Sequence, residues 1–147
     1  MGQQQLLLVI LVTIIVGIAT VVAINTFGSA ADSANLDAVR QDVAQIAASA
    51  QGYYMKPKML GGGGKDFTGV TFENISFSAS DMNADGTIAW NENGTYEITA
   101  TTAPSGTTPS SISISATPSS SDGYVQGATG SDPLTATIEP DNMRWGS

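Results

Sequence analysis

The stretch DMNADGTIAWNE holds the densest set of oxygen donors in the sequence, and its spacing fits a calcium loop. Asp81, Asn83 and Asp85 fall at the first, third and fifth ligand positions, and Gly86 supplies the sharp turn. Thr87 would offer its backbone carbonyl, and Glu92 would close the shell with two carboxylate oxygens. Ile88 fills the apolar position, but Ala89 leaves the ninth without a side-chain ligand. The flanks, FENISFSAS and TYEITA, read as strands, not as the two helices that hold such a loop in an EF-hand. The competing reading is an Asn/Asp/Gly turn between strands, which the composition favours. Calcium is the one cofactor the sequence suggests, and none is required.

Other chemistry is largely excluded by residue type. The chain contains no histidine and no cysteine, which removes disulfides, thiolate nucleophiles, Ser-His-Asp triads and the common zinc sites. Arg40, Lys56, Lys58, Lys65 and Arg144 are its only basic residues against a net charge of −8, so no nucleic-acid contact is indicated. Neither an enzyme nor a small-molecule substrate is expected. Asn74-Ile75-Ser76 and Asn93-Gly94-Thr95 are N-glycosylation sequons, and residues 101–122 are rich in Ser, Thr and Pro, as exposed glycan-bearing surfaces are.

The elements that must position these residues begin with MGQQQLLLVILVTIIVGIATVVAINTF. No charged side chain occurs before Asp32. The run from Leu6 to Ile24 is long enough to cross a bilayer as a helix, longer than a usual signal-peptide core, and preceded by no basic segment. After Gly28, Ser29 and Ser33, helical periodicity resumes, and Asn35 stands where it could cap a restarted helix. Leu36, Val39, Val43, Ile46, Ala50 and Tyr53 recur at steps of three and four, which places them on one face. This predicts one long helix over residues 1–55, apolar in 1–27 and amphipathic in 28–55. A Gly-rich linker follows over 56–67. Period-two alternation then predicts strands around Tyr96–Ile98–Ala100, Ile112–Ile114–Ala116 and Leu134–Ala136–Ile138, with a less regular strand through Val70, Phe72, Ile75 and Phe77. The expected fold class is α+β: a long amino-terminal helix whose amphipathic half packs on a small antiparallel sheet in a head domain over 68–147. Each strand should keep one wet face.

Three stretches, GQQQLLLVILVTIIVGIATVVAI, NLDAVRQDVAQIAASAQGYY and LGGGGKDFTG, resemble the type IV pilin superfamily. The resemblance implies a structural subunit, a major pilin held in the inner membrane by its helix until assembly machinery polymerises it into an extracellular filament. Its partners would be copies of itself, with apolar helices bundled at the core and sheet domains facing water. It assigns assembly to Met1, Gln5, Leu8, Ile10, Ile14, Gly17, Ile18, Val21 and Ile24. Met1 becomes the first mature residue if a leader ending in glycine is removed, and the family often methylates that amine. Gln5 stands where most bacterial members carry glutamate, the usual proline late in the apolar run is missing, and no disulfide loop can form. Two alternatives remain open, a pseudopilin of a secretion piston and a monomeric single-span surface module. Long fibres in sheared supernatant would separate the first reading from both.

Overall fold

The computed structural model describes residues 2–128, 130 and 133–146. The chain divides into two compact units, Met1–Ala34 and Asn35–Ser147. Helix α1 runs unbroken over Gly2–Met55. No proline interrupts that span, and an isolated glycine costs a helix only about 1 kcal/mol relative to alanine. The restart suggested near residue 35 does not occur, because Gly28, Ser29 and Ser33 are all accommodated within the helix. Asn35 is therefore not a cap. Its amide donates to the Asn93 carbonyl at 2.9 Å and the Ser119 hydroxyl at 3.1 Å, while its oxygen accepts the Ser120 N–H.

In the unit Asn35–Ser147, the helix packs on a six-stranded antiparallel sheet of order β1-β2-β3-β4-β5-β6, with every strand beside its sequence neighbour. The strands are β1 (Asp81–Met82), β2 (Ile88–Trp90), β3 (Gly94–Thr102), β4 (Ser111–Pro118), β5 (Leu134–Ile138) and β6 (Met143–Trp145). This is the expected α+β arrangement. Val39, Val43, Ile46, Ala47 and Ala50 of the helix form one core with Ala89, Tyr96, Ile112, Ile114, Ala116, Ala136 and Ile138 of the sheet. The register explains the alternation: Tyr96 pairs Ala116, Ile98 pairs Ile114, and Ile112 pairs Ile138, so the apolar members share a face. A register shift between Ile98 and Ala100 leaves the outer end of β3 exposed.

Three expectations are corrected. Residues 70–77 form no strand. Their amides close turns (Val70 to the Phe67 carbonyl, Asn74 to that of Thr71, Phe77 to that of Ile75), and Val70, Phe72 and Ile75 are buried without a ladder. Apolar content alone suggests a strand there; these three donors are satisfied within a few residues instead, and Phe72 makes a single bond to the Gly86 carbonyl at 2.7 Å. Second, the outer sheet face is not wet throughout. Thr95, Ser115 and Thr117 are buried, and the amides of Gly127 and Gly130 donate to the hydroxyls of Thr95 and Thr117. Tyr124 also meets Thr95 through its hydroxyl at 3.2 Å. Tyr124, Gly127 and Gly130 thus cover one end of that face.

Third, the Gly-rich segment over 56–67 does more than link: it locks the carboxy-terminal end of α1. A helix leaves its last carbonyls without internal partners. Here Gly63 donates to the Tyr53 carbonyl at 2.8 Å, Lys65 to that of Tyr54 at 2.8 Å, and Gly64 to that of Lys56 at 2.9 Å. Approach this close leaves no room for a side chain: a Cβ on Gly63 would run into the Asp66 carbonyl oxygen and the Tyr53 ring. Phe67 then enters the core, stacked at a tilt on Tyr54 with centroids 4.9 Å apart. Asp66 anchors the exit. The Thr68 backbone amide, followed by the Thr68 and Ser110 hydroxyls, holds its carboxyl below the usual carboxylate range against a smaller opposing push from burial. That contribution to stability is present above the unfolded value and lost as pH falls through the lowered one. Gly63→Ala should destabilise the chain by roughly 2–4 kcal/mol, as steric overlap with backbone requires. Gly52→Ala, in the same helix but with open space around its Cβ, should stabilise by up to about 1 kcal/mol. Urea melts of the two variants check the pair.

Candidate functional site: the apolar helix and the Asp42 cluster

The amino-terminal stretch of α1 presents an uninterrupted apolar surface. Leu8, Ile10, Ile14, Ile18, Val21 and Ile24 are all more than half exposed, as is every other large apolar residue from Leu6 to Phe27 except Val12. Gln5 is exposed as well, and Gly17 has open space where a Cβ would stand. Met1 lies outside the described residues. The few hydroxyls on this stretch are satisfied within the helix. Thr13 donates to the Ile10 carbonyl, Thr20 to that of Val16 and Thr26 to that of Val22, each at 2.8 Å. The helix is long and apolar enough to cross a membrane.

The packing stripe of α1 falls largely where the periodicity places it. Val39, Val43, Ile46 and Ala50 are fully buried, whereas Leu36 and Tyr53 are half-buried at the two ends. Two residues of that face were not legible in the stripe: Ala47, whose small side chain carries little hydrophobic signal, and Asp42. Asp42 lies three residues after Val39 and four before Ile46, so it flanks the apolar stripe, where a carboxylate needs partners. The NENG turn and β3 supply them. Tyr96 donates its hydroxyl to Asp42 Oδ2 at 2.6 Å, and the side-chain amides of Asn91 and Asn93 donate to the same oxygen at 2.8 Å each. Asn91 Oδ1 in turn accepts the backbone N–H groups of Asn93 and Gly94, which fixes the turn. Burial, then the hydrogen bond to Asp42, pushes the Tyr96 phenol far above its ordinary value, so it stays a donor. A polar hollow of about 330 Å³ opens beside the cluster, lined by Asp42 and residues 78–80 and 91–93.

The DMNADGTIAWNE segment is a hairpin between β1 and β2. Asn83 spends its side-chain oxygen on the amides of Thr87 and Ile88, both at 2.9 Å, and its amide on the Thr87 hydroxyl. Asp81 accepts the Met82 N–H, Asp85 is exposed in the turn, and Glu92 lies beyond β2 at the polar hollow. Of the five proposed ligands, only Asn83 and Thr87 meet through a hydrogen bond, and these turn contacts use up the Asn83 side chain. Among the described residues, no three acidic side chains form a group that could hold a metal ion. The Asn/Asp/Gly turn accounts for the motif. Saturating calcium followed by excess chelator should accordingly leave the melting curve unchanged; an ion held at 100 times Kd would shift stability by about 2.7 kcal/mol.

The two sequons differ in access. Asn74 is exposed, with one long contact of 3.5 Å to the Gly69 carbonyl. Asn93 commits its amide to Asp42, and Thr95 of the same sequon is fully buried. The helix-on-sheet arrangement defines the chain's class as α+β. Compared with family models, with curated proteins and with solved structures, the chain finds no match.

Proposed function

We propose that the chain is the structural major subunit of a type IV pilin-like filament, polymerising through the apolar half of α1. The observation that carries this reading is the contrast along one unbroken helix. After Asn35 one face of it, Val39, Val43, Ile46, Ala47 and Ala50, is buried against a sheet, whereas the apolar stretch before Phe27 is exposed and self-satisfied in its hydrogen bonds. An apolar face of this size on a protein of net charge −8 calls for cover by lipid or by protein, and copies of the chain supply matching apolar helices. Lipid suffices for the unassembled subunit in the inner membrane. The continuous extension of the helix into the sheet unit favours a further, assembled state in an extracellular filament. Small residues such as Gly17, Ala19 and Thr20 permit close helix approach there. The proposed role is mechanical, without catalysis, small-molecule substrate or nucleic acid, and needs no cofactor.

Electron microscopy of sheared cell supernatant, with mass-spectrometric identification of the fibre protein, tests the reading. Abundant long fibres made of this chain are expected. Recovery of the chain only as a membrane-bound monomer would favour the single-span module, and short assemblies confined to the cell envelope would favour the pseudopilin.

A further inference from the structure

Every lysine of the chain lies between residues 56 and 65, in the turn that follows α1. No acidic residue occurs from Met55 to Lys65, so the rest of the chain carries an even larger acidic excess than the net −8. Both arginines lie elsewhere and are paired, Arg40 with Asp37 at 3.2 Å and Arg144 with Glu139 at 3.3 Å. Among the described residues, Lys56 and Lys65 have no ion-pair partner, and Lys58 feels Asp66 only through space. Together with Met55, the last residue of α1, the same turn holds most of the exposed large apolar side chains found outside the amino-terminal stretch. Met59 is 97% exposed, Met55 75% and Leu60 66%.

This tip is rigid. Gly61 closes a 3₁₀ turn onto the Lys58 carbonyl, Gly63 and Lys65 are fastened to the helix carbonyls of Tyr53 and Tyr54, and Gly64 to that of Lys56 just after the helix. A preformed turn that carries exposed apolar side chains and three lysines within residues 55–65 loses little entropy on docking. We infer that the Met55–Lys65 tip docks on the acidic surface of a second copy of this chain, its ammonium groups pairing with carboxylates around Met59 and Leu60. Charge complementarity selects that occupant. An anionic bilayer would attract the tip but repel the acidic remainder, whereas a second copy supplies the acidic surface. Tip and acidic surface are different patches, so the contact is head-to-tail and propagates instead of closing a dimer. This inference rests on the filament reading and adds to it a contact between sheet units.

Because amines other than the chain terminus occur only in the tip, carbodiimide coupling of amines to carboxylates reports on it directly. Harvested wild-type fibres, coupled and run on a denaturing gel, should give a ladder of dimers and higher multiples. Peptide mapping should join Lys56, Lys58 or Lys65 to an Asp or Glu of another copy. At low salt, fibres of the K56Q/K58Q/K65Q chain should dissociate at a lower temperature than wild type, and the gap should close at high salt. The corresponding triple arginine chain should match wild type. Intact fibres whose lysines couple only within their own chain, or not at all, would overturn the inference and leave the filament reading standing. Absence of wild-type fibres would overturn the filament reading itself, and the inference with it.

Discussion

An Ile14→Asp chain is expected to form no fibres, whereas Ile14→Leu forms them normally. Ile14 lies in the middle of the exposed apolar stretch, and the proposed filament buries it among neighbouring helices. Removing a carboxylate from water without a partner costs several kcal/mol, and in a polymer this recurs at every subunit. Leucine keeps the volume and apolar character, a change that usually costs less than about 1.5 kcal/mol. Membrane insertion is less sensitive, because a single central acid raises the insertion cost by about 3 kcal/mol against a long run of favourable residues. The Asp variant should therefore still be found by immunoblot in the membrane fraction while sheared supernatants hold no fibres. Normal fibres from it would mean that this helix is not the core.

Asp42→Ala is expected to destabilise the sheet unit by roughly 2–4 kcal/mol, as much as Gly63→Ala, because three donors lose one shared acceptor. Tyr96 is fully buried and cannot turn its hydroxyl to bulk water, whereas Asn91 and Asn93, at the hollow, recover part of their hydration. The loss therefore falls below three full charge-assisted bonds. Asp42→Asn, which keeps an acceptor without the charge, should cost less. A double-mutant cycle with Tyr96→Phe assigns the share: in the Asp42→Ala background the second change should cost clearly less than in wild type. Additive losses in urea melts would show that the 2.6 Å contact carries no coupling energy.

What the sequence disclosed follows from periodicity. The stripe Val39–Val43–Ile46–Ala50 and the alternation in β3, β4 and β5 survive because each buried face repeats at the period of its element. Several of the failures share a cause, a partner distant in sequence. Asn35 resembles a cap until Asn93 and Ser119 are placed beside it, and the covering of Thr95 depends on Gly127 and Tyr124. Asp42 reads as a solvated charge until Tyr96 is added. The glycines of residues 61–64 suggest looseness by composition, although the same lack of side chains lets the backbone reach the helix end and lock it. The calcium pattern shows the converse. Its residue types suit a ligand shell, but the same Asn and Gly serve a tight hairpin, and Asn83 commits its oxygen to amides.

A helical reconstruction by cryo-electron microscopy of wild-type fibres tests the central claim most directly. The account predicts continuous helical density at the axis, with Leu8, Ile14, Ile18 and Val21 of adjoining copies packed against one another. A fibre whose axis is built from any other part of the chain, leaving that stretch on the outer surface, would contradict it.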